Sequence, residues 1–138
     1  MENAALLRNL KTIGVTLDGD FVAAVRTIAG AEYDEVYFKV SRTDRIESAW
    51  AADPAGNVQQ VNLADVAAVA PCPFRVPDAI ARPAWKKGES GMGYYRITVI
   101  LSDGTAFRDM ITTRPYIVHL PPGRSVAEVV RIDHEGFH

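Results

Sequence analysis

The chain's sequence predicts an α+β fold, in which an N-terminal helix or helix pair precedes an antiparallel β-sheet or small barrel of about six strands. Three observations carry that expectation. Apolar residues recur at helical spacing only within about the first 30 residues. Beyond them the hydrophobic period drops to two, and β-branched and aromatic residues dominate. The strand-like runs are separated by turns rather than helical crossovers, which disfavours a parallel α/β sheet. If the second helix were a strand, an all-β sandwich would be the alternative. A length of 138 residues matches one hydrophobic core, so a single domain is expected over residues 1–138, with a helical start over about 1–30 and a β-rich part over about 31–138.

Leu6, Leu7, Leu10 and Ile13 share one helical face, and Gly14 stands where a C-terminal cap belongs, so a helix is predicted over about residues 3–13. Asp20 is placed to cap a second helix, whose Phe21, Ala24, Val25 and Ile28 share a face and which Gly30 would end. Val22, Val25, Thr27 and Ile28 are also β-formers, and they support a strand in the same place. After Gly30, Val36, Phe38 and Val40 alternate with Tyr37, Lys39 and Ser41, the repeat of a half-buried strand. Ile46, Ser48 and Trp50 continue the repeat. DPAGN then turns the chain into a shorter strand over about residues 58–63.

Residues 71–93, PCPFRVPDAIARPAWKKGESGMG, hold four prolines by residue 83 and then three glycines. Such a composition opposes both a regular helix and a central strand, and predicts a long loop or extended crossover. Long loops often carry function, which makes Phe74, Trp85, Lys86 and Lys87 candidate ligand-binding residues. Trp85 could stack on a sugar or base while the lysines hold a phosphate. The plainer role for Trp85 is to anchor the loop on the core.

In GYYRITVILSDGTAFRDMITT, Asp103 and Gly104 suit a two-residue type I′ turn, which would set Ile100 opposite Phe107, Thr98 opposite Asp109 and Arg96 opposite Ile111. Tyr95, Ile97, Val99, Leu101, Ala106 and Met110 then form the core face. Arg96, Thr98 and Asp109 lie outside, with Arg96 and Asp109 in reach of an ion pair and counted as candidate ligand-binding residues. Residues 115–120 and 126–132 read as two further strands joined by the PPGRS turn.

Composition narrows the function classes. A formal net charge of −2 gives no broad cationic field, so neither nucleic acid nor an anionic membrane surface is expected as a partner. The N-terminus lacks a secretory signal and no run approaches the roughly 18 apolar residues of a membrane span, which fits a cytoplasmic protein. Cys72, the only cysteine, lies between Pro71 and Pro73 and reads as a small buried hydrophobe. No glycine-rich phosphate loop, nucleophile elbow or paired-cysteine knuckle is present.

The chain ends in HEGFH, which matches the H-E-x-x-H pattern of zinc hydrolases, with His134 and His138 as ligands and Glu135 as general base. That chemistry needs both histidines one helical turn apart and a third ligand, for which His119, Asp109 or Asp133 would be candidates. The preceding VAEVVRID reads as strand, and Gly136 weakens a helix by about 1 kcal/mol relative to alanine. Two function classes follow. The first, and favoured, is a non-catalytic module without a cofactor, presenting a sheet face and the proline- and glycine-rich loop to a protein or small ligand. The second is a small hydrolase, using zinc at HEGFH or a site assembled from Asp103, Asp109 and His119. An unpaired strand edge would also allow a homodimer.

Overall fold

The structure, a computed structural model, describes residues 1–136. The chain forms two compact units, the first over Met1–Pro73 and the second from Phe74 onward. The architecture is α+β, with two helices and two antiparallel sheets among the described residues, and neither sheet closes into a barrel. Among the described residues, no helix is long and apolar enough to cross a membrane.

In the first unit, helix α1 (Asn3–Ile13) buries Leu6, Leu7 and Leu10 and ends at Gly14, as its spacing predicts. A sheet follows, built of β1 (Phe21–Thr27), β2 (Glu32–Val40), β3 (Ile46–Ala52), β4 (Val58–Val61) and β5 (Val66–Pro71), ordered β4-β3-β2-β1-β5. Phe21, Phe38, Ala49 and Val61 stand opposite one another across four strands and belong to the core that α1 covers. The Asn3 side chain joins helix to sheet, donating to the Ile46 carbonyl at 2.9 Å and accepting from the Ile46 amide at 3.0 Å.

Residues 21–27 are strand, not a second helix. Phe21, Val22 and Ala23 are all buried, so both faces of β1 are enclosed over its first half, and that part of the sequence loses the polar alternation that marks a half-buried strand, while Arg26 further along is exposed. Asp20 caps no helix; its carboxylate accepts from the Thr16 hydroxyl at 2.5 Å in the loop leading to β1. Strand β5 follows a short 3₁₀ turn, Leu63–Asp65, and is a further strand within the stretch after residue 63.

In the second unit, Val76 donates its amide to the Tyr116 carbonyl and Val118 donates to that of Phe74, both at 2.9 Å. Residues 115–120 therefore make a single bridge, Arg75 to Ile117, rather than a ladder strand, although Tyr116, Ile117 and Val118 are buried. The loop expected at 71–93 contains helix α2 (Asp78–Lys87). Pro77 immediately precedes it, where a missing N–H costs nothing, Asp78 and Lys86–Lys87 complement its dipole, and Gly88 stops it at φ 81°. Pro83 lies inside the helix but is exposed, as is Ala79, so the carbonyl left without a donor can be hydrated. Ala81 and Ala84 are buried on a helix that packs against β8 (Val129–His134).

Strand β8 pairs with β6 (Tyr95–Leu101), which pairs with β7 (Ala106–Thr112), giving the order β7-β6-β8. The β6–β7 hairpin departs from the predicted two-residue turn. Leu101 donates to Thr105 at 2.8 Å across a three-residue loop, Ser102 to Gly104, with Gly104 at φ 88°. Val99 consequently faces Phe107, one place from the expected pairing. A bulge in which Arg108 and Asp109 oppose Thr98 then restores the predicted match of Arg96 with Ile111. Asp109 takes φ 57° there, a left-handed conformation that aspartate tolerates better than most residues.

Asp103 ties the hairpin turn to the segment before β8. It accepts from Arg124 at 2.8 Å and from the Thr105 amide at 2.9 Å, contacts that hold its carboxyl well below the usual carboxylate range. A carboxyl depressed on folding stabilises the protein above its unfolded value near 3.8 and loses that contribution as the pH falls below it. The melting-temperature gap between wild type and Asp103→Asn should thus stay constant from about pH 8 to pH 5 and narrow below about pH 4. A gap unchanged at pH 3 would contradict the assignment.

Candidate functional site

The residues proposed from the sequence occupy several places in the second unit. Phe74 packs edge-on against His119, ring centroids 4.5 Å apart and planes at 72°. Trp85 is half-buried in the last turn of α2, and Lys86 and Lys87 beside it are exposed. Arg96 and Asp109 form the expected ion pair, with Nε and Nη2 of Arg96 at 3.0 and 2.8 Å from the same carboxylate oxygen, and these bonds raise the Arg96 pKa further. Among the described residues no hydrogen bond or ion pair joins Lys86 or Lys87 to that couple.

HEGFH begins in a strand. His134 is the last residue of β8, and Glu135 continues the pairing through its amide to the Arg96 carbonyl at 2.8 Å. The Glu135 carboxylate accepts from the Thr98 hydroxyl. Extended backbone sends successive side chains to opposite faces, so His134 and Glu135 diverge where the zinc pattern needs a helix to converge them. Both ring nitrogens of His134 are also engaged. Nε2 donates to the Gly88 carbonyl at 2.7 Å and Nδ1 accepts from the Gly136 amide at 3.0 Å, which specifies the Nε2–H tautomer. His138 lies outside the described residues. No group of three or more His, Cys, Asp or Glu placed to hold a metal occurs among the described residues.

Ser90 sits 3.3 Å from His134 Nε2, which has the look of a serine–histidine pair. Its surroundings suit another role. Ser90 is fully buried, and its hydroxyl oxygen accepts from the Arg96 amide at 2.9 Å. A nucleophile also needs a base with a vacant nitrogen, and Nε2 already gives its proton to Gly88. Ser90, His134 and Gly88 together fasten the end of β8 to the segment between α2 and β6. The alternative set of Asp103, Asp109 and His119 is divided likewise, Asp103 being held by Arg124, Asp109 by Arg96 and His119 packed on Phe74.

A surface that the sequence did not mark lies in the first unit. Glu47 is an extra residue in β3 opposite the Lys39–Val40 step of β2. It breaks the alternation, so Ile46 faces the core while Ser48 and Trp50 face the other way. Trp50 is 43% exposed and stands directly between Tyr37 on β2 and Gln60 on β4. Asp18, Asp20 and Lys39 complete the rim of an open groove of about 280 Å³ around the two aromatic rings. The Tyr37 hydroxyl is turned to the Glu35 carboxylate at 2.5 Å, which fixes its ring beside the indole. The signal available in the sequence was a tryptophan following the charged and polar pair Glu47-Ser48, and strict alternation from Ile46 points it inward. No protein-family model, curated protein or solved structure matches the chain.

Proposed function

We propose that the protein is a non-catalytic binding module that presents the Trp50 side of its five-stranded sheet to a protein or peptide. The observation that carries this is Trp50 itself, a large aromatic left 43% exposed beside a second ring held in place by a hydrogen bond. Tryptophan and tyrosine offer wide contact area at low entropic cost and recur at the centres of recognition surfaces. The commitment of Ser90 and His134 to hydrogen bonds within the fold supports binding over hydrolysis. The Trp85, Lys86 and Lys87 turn of α2 remains a second candidate surface of the same module.

Peptide display separates the two surfaces. Random peptides selected on the wild-type protein should lose their enrichment on Trp50→Ala and keep it on Trp85→Ala. Trp50→Ala should itself cost less than about 1 kcal/mol of stability, because an exposed cross-strand pair contributes little. The reverse pattern would move the site to α2. No enrichment on either would remove the proposal.

A further inference from the structure

The groove at Trp50 does not stand alone. Ser48 lines both it and a second furrow bounded by Glu47, Gln60 and Asn62, so the two meet to form one trough along the sheet. The carboxylates of Asp20 and Glu47 border this trough, and the ammonium of Lys39 lies 4.0 Å from Glu47. With Lys39 beside Glu47, these three groups leave one formal negative charge, which Asp20 brings to the rim of the aromatic groove. It is a local centre of negative potential.

Two physical terms then favour the same kind of ligand. Carboxylates attract a cation, and the negative faces of an indole and a phenol attract one as well. Among cations, a guanidinium is flat enough to stack on Trp50 while its N–H fork reaches a carboxylate such as Asp20, whereas an ammonium is a compact, strongly hydrated point charge. The shape bears on how the cation arrives. Both parts of the trough, about 280 Å³ at Trp50 and about 420 Å³ in the furrow, are open to solvent and fall short of the burial that pockets for free small molecules provide. A side chain carried on a peptide avoids that deficit, because Gln60 and Asn62 supply donors and acceptors for backbone amides along the furrow. We infer that the trough takes the guanidinium of an arginine presented on an extended peptide, an assignment that rests on the binding role proposed for this face.

The chain holds two tryptophans, so a ¹⁵N-labelled sample gives two indole N–H signals, assignable with Trp50→Phe and Trp85→Phe. Capped Gly-Arg-Gly, Gly-Gln-Gly and Gly-Glu-Gly are the probes. Gly-Arg-Gly should shift the Trp50 signal and leave that of Trp85 in place, with the affinity falling roughly threefold or more as salt rises from about 0.05 to 0.5 M. Asp20→Asn should weaken it to a similar degree. The other two peptides should produce no shift at equal concentration. If Gly-Gln-Gly or Gly-Glu-Gly shifts Trp50 as strongly as Gly-Arg-Gly, the arginine assignment falls while the binding face stands. If no tripeptide shifts Trp50 but peptides selected by display do, the assignment falls in the same way. Silence from tripeptides and selected peptides alike overturns both.

Discussion

Phe38→Ala is expected to destabilise the protein by about 3–5 kcal/mol, the usual range for deleting a buried phenylalanine side chain. Phe38 is 1% exposed, lies on β2 in the middle of the five-stranded sheet, and faces Phe21 on one side and Ala49 on the other beneath α1. Its neighbours are held by strands on both sides, so they can collapse into the vacated volume only in part, and the cavity adds to the lost transfer energy. A typical domain has about 5–15 kcal/mol in all, so this one change can remove much of the margin. Urea denaturation followed by tryptophan fluorescence measures it, with Trp50 reporting from the first unit and Trp85 from the second. A shift worth less than about 1 kcal/mol would show that the site collapses freely and that the core around Phe38 is loosely packed.

Ser90→Ala should cost about 1–3 kcal/mol, the penalty for leaving a buried donor without an acceptor. The hydroxyl removed is the acceptor for the Arg96 amide, and Ser90 is fully buried, so water has little access to replace it. The Ser90 backbone should hold, because its own amide donates to the Tyr94 carbonyl at 2.9 Å. The loss should therefore centre on β6 and the end of β8, where Glu135 donates to the Arg96 carbonyl. Amide hydrogen exchange reads this residue by residue. Arg96 and Glu135 should exchange about tenfold faster for each 1.4 kcal/mol lost locally. Unchanged exchange at Arg96 would mean that the hydroxyl is not what fastens the strand.

How far the sequence could be read depended on whether a local rule met a non-local exception. Helix α1 and strands β2 to β4 were legible because each presents one face to the core and repeats with its own period, and the β6–β7 hairpin was legible from its Asp103-Gly104 turn, although Thr98, expected outside, is buried. Strand β1 was not, since enclosure on both faces erases the period that separates strand from helix. Helix α2 was hidden by the weight given to prolines, although Pro77 and Asp78 at its start and Lys86, Lys87 and Gly88 at its end are ordinary boundary signals. The candidate site was less legible than the fold. The single extra residue Glu47 decides which way Trp50 points, and one-residue bulges leave little mark in sequence. The Arg96–Asp109 pair was within reach because it depends on the outer part of the hairpin, where the predicted register holds.

The bulges matter beyond the side chains they re-aim. Asp109 interrupts β7, an outer strand, and Ala67 is an extra residue in β5, another outer strand, which ends on a proline with no N–H to offer. Strand β4, on the remaining side of the larger sheet, is only four residues long. A growing fibril needs a straight, regular edge on which each new chain can lay a full row of backbone hydrogen bonds. None of these three borders provides one, and β8, the fourth, carries Val130 as an extra residue opposite the Ile100–Leu101 step, so what look like local irregularities also keep a strand-rich protein from templating its own aggregation.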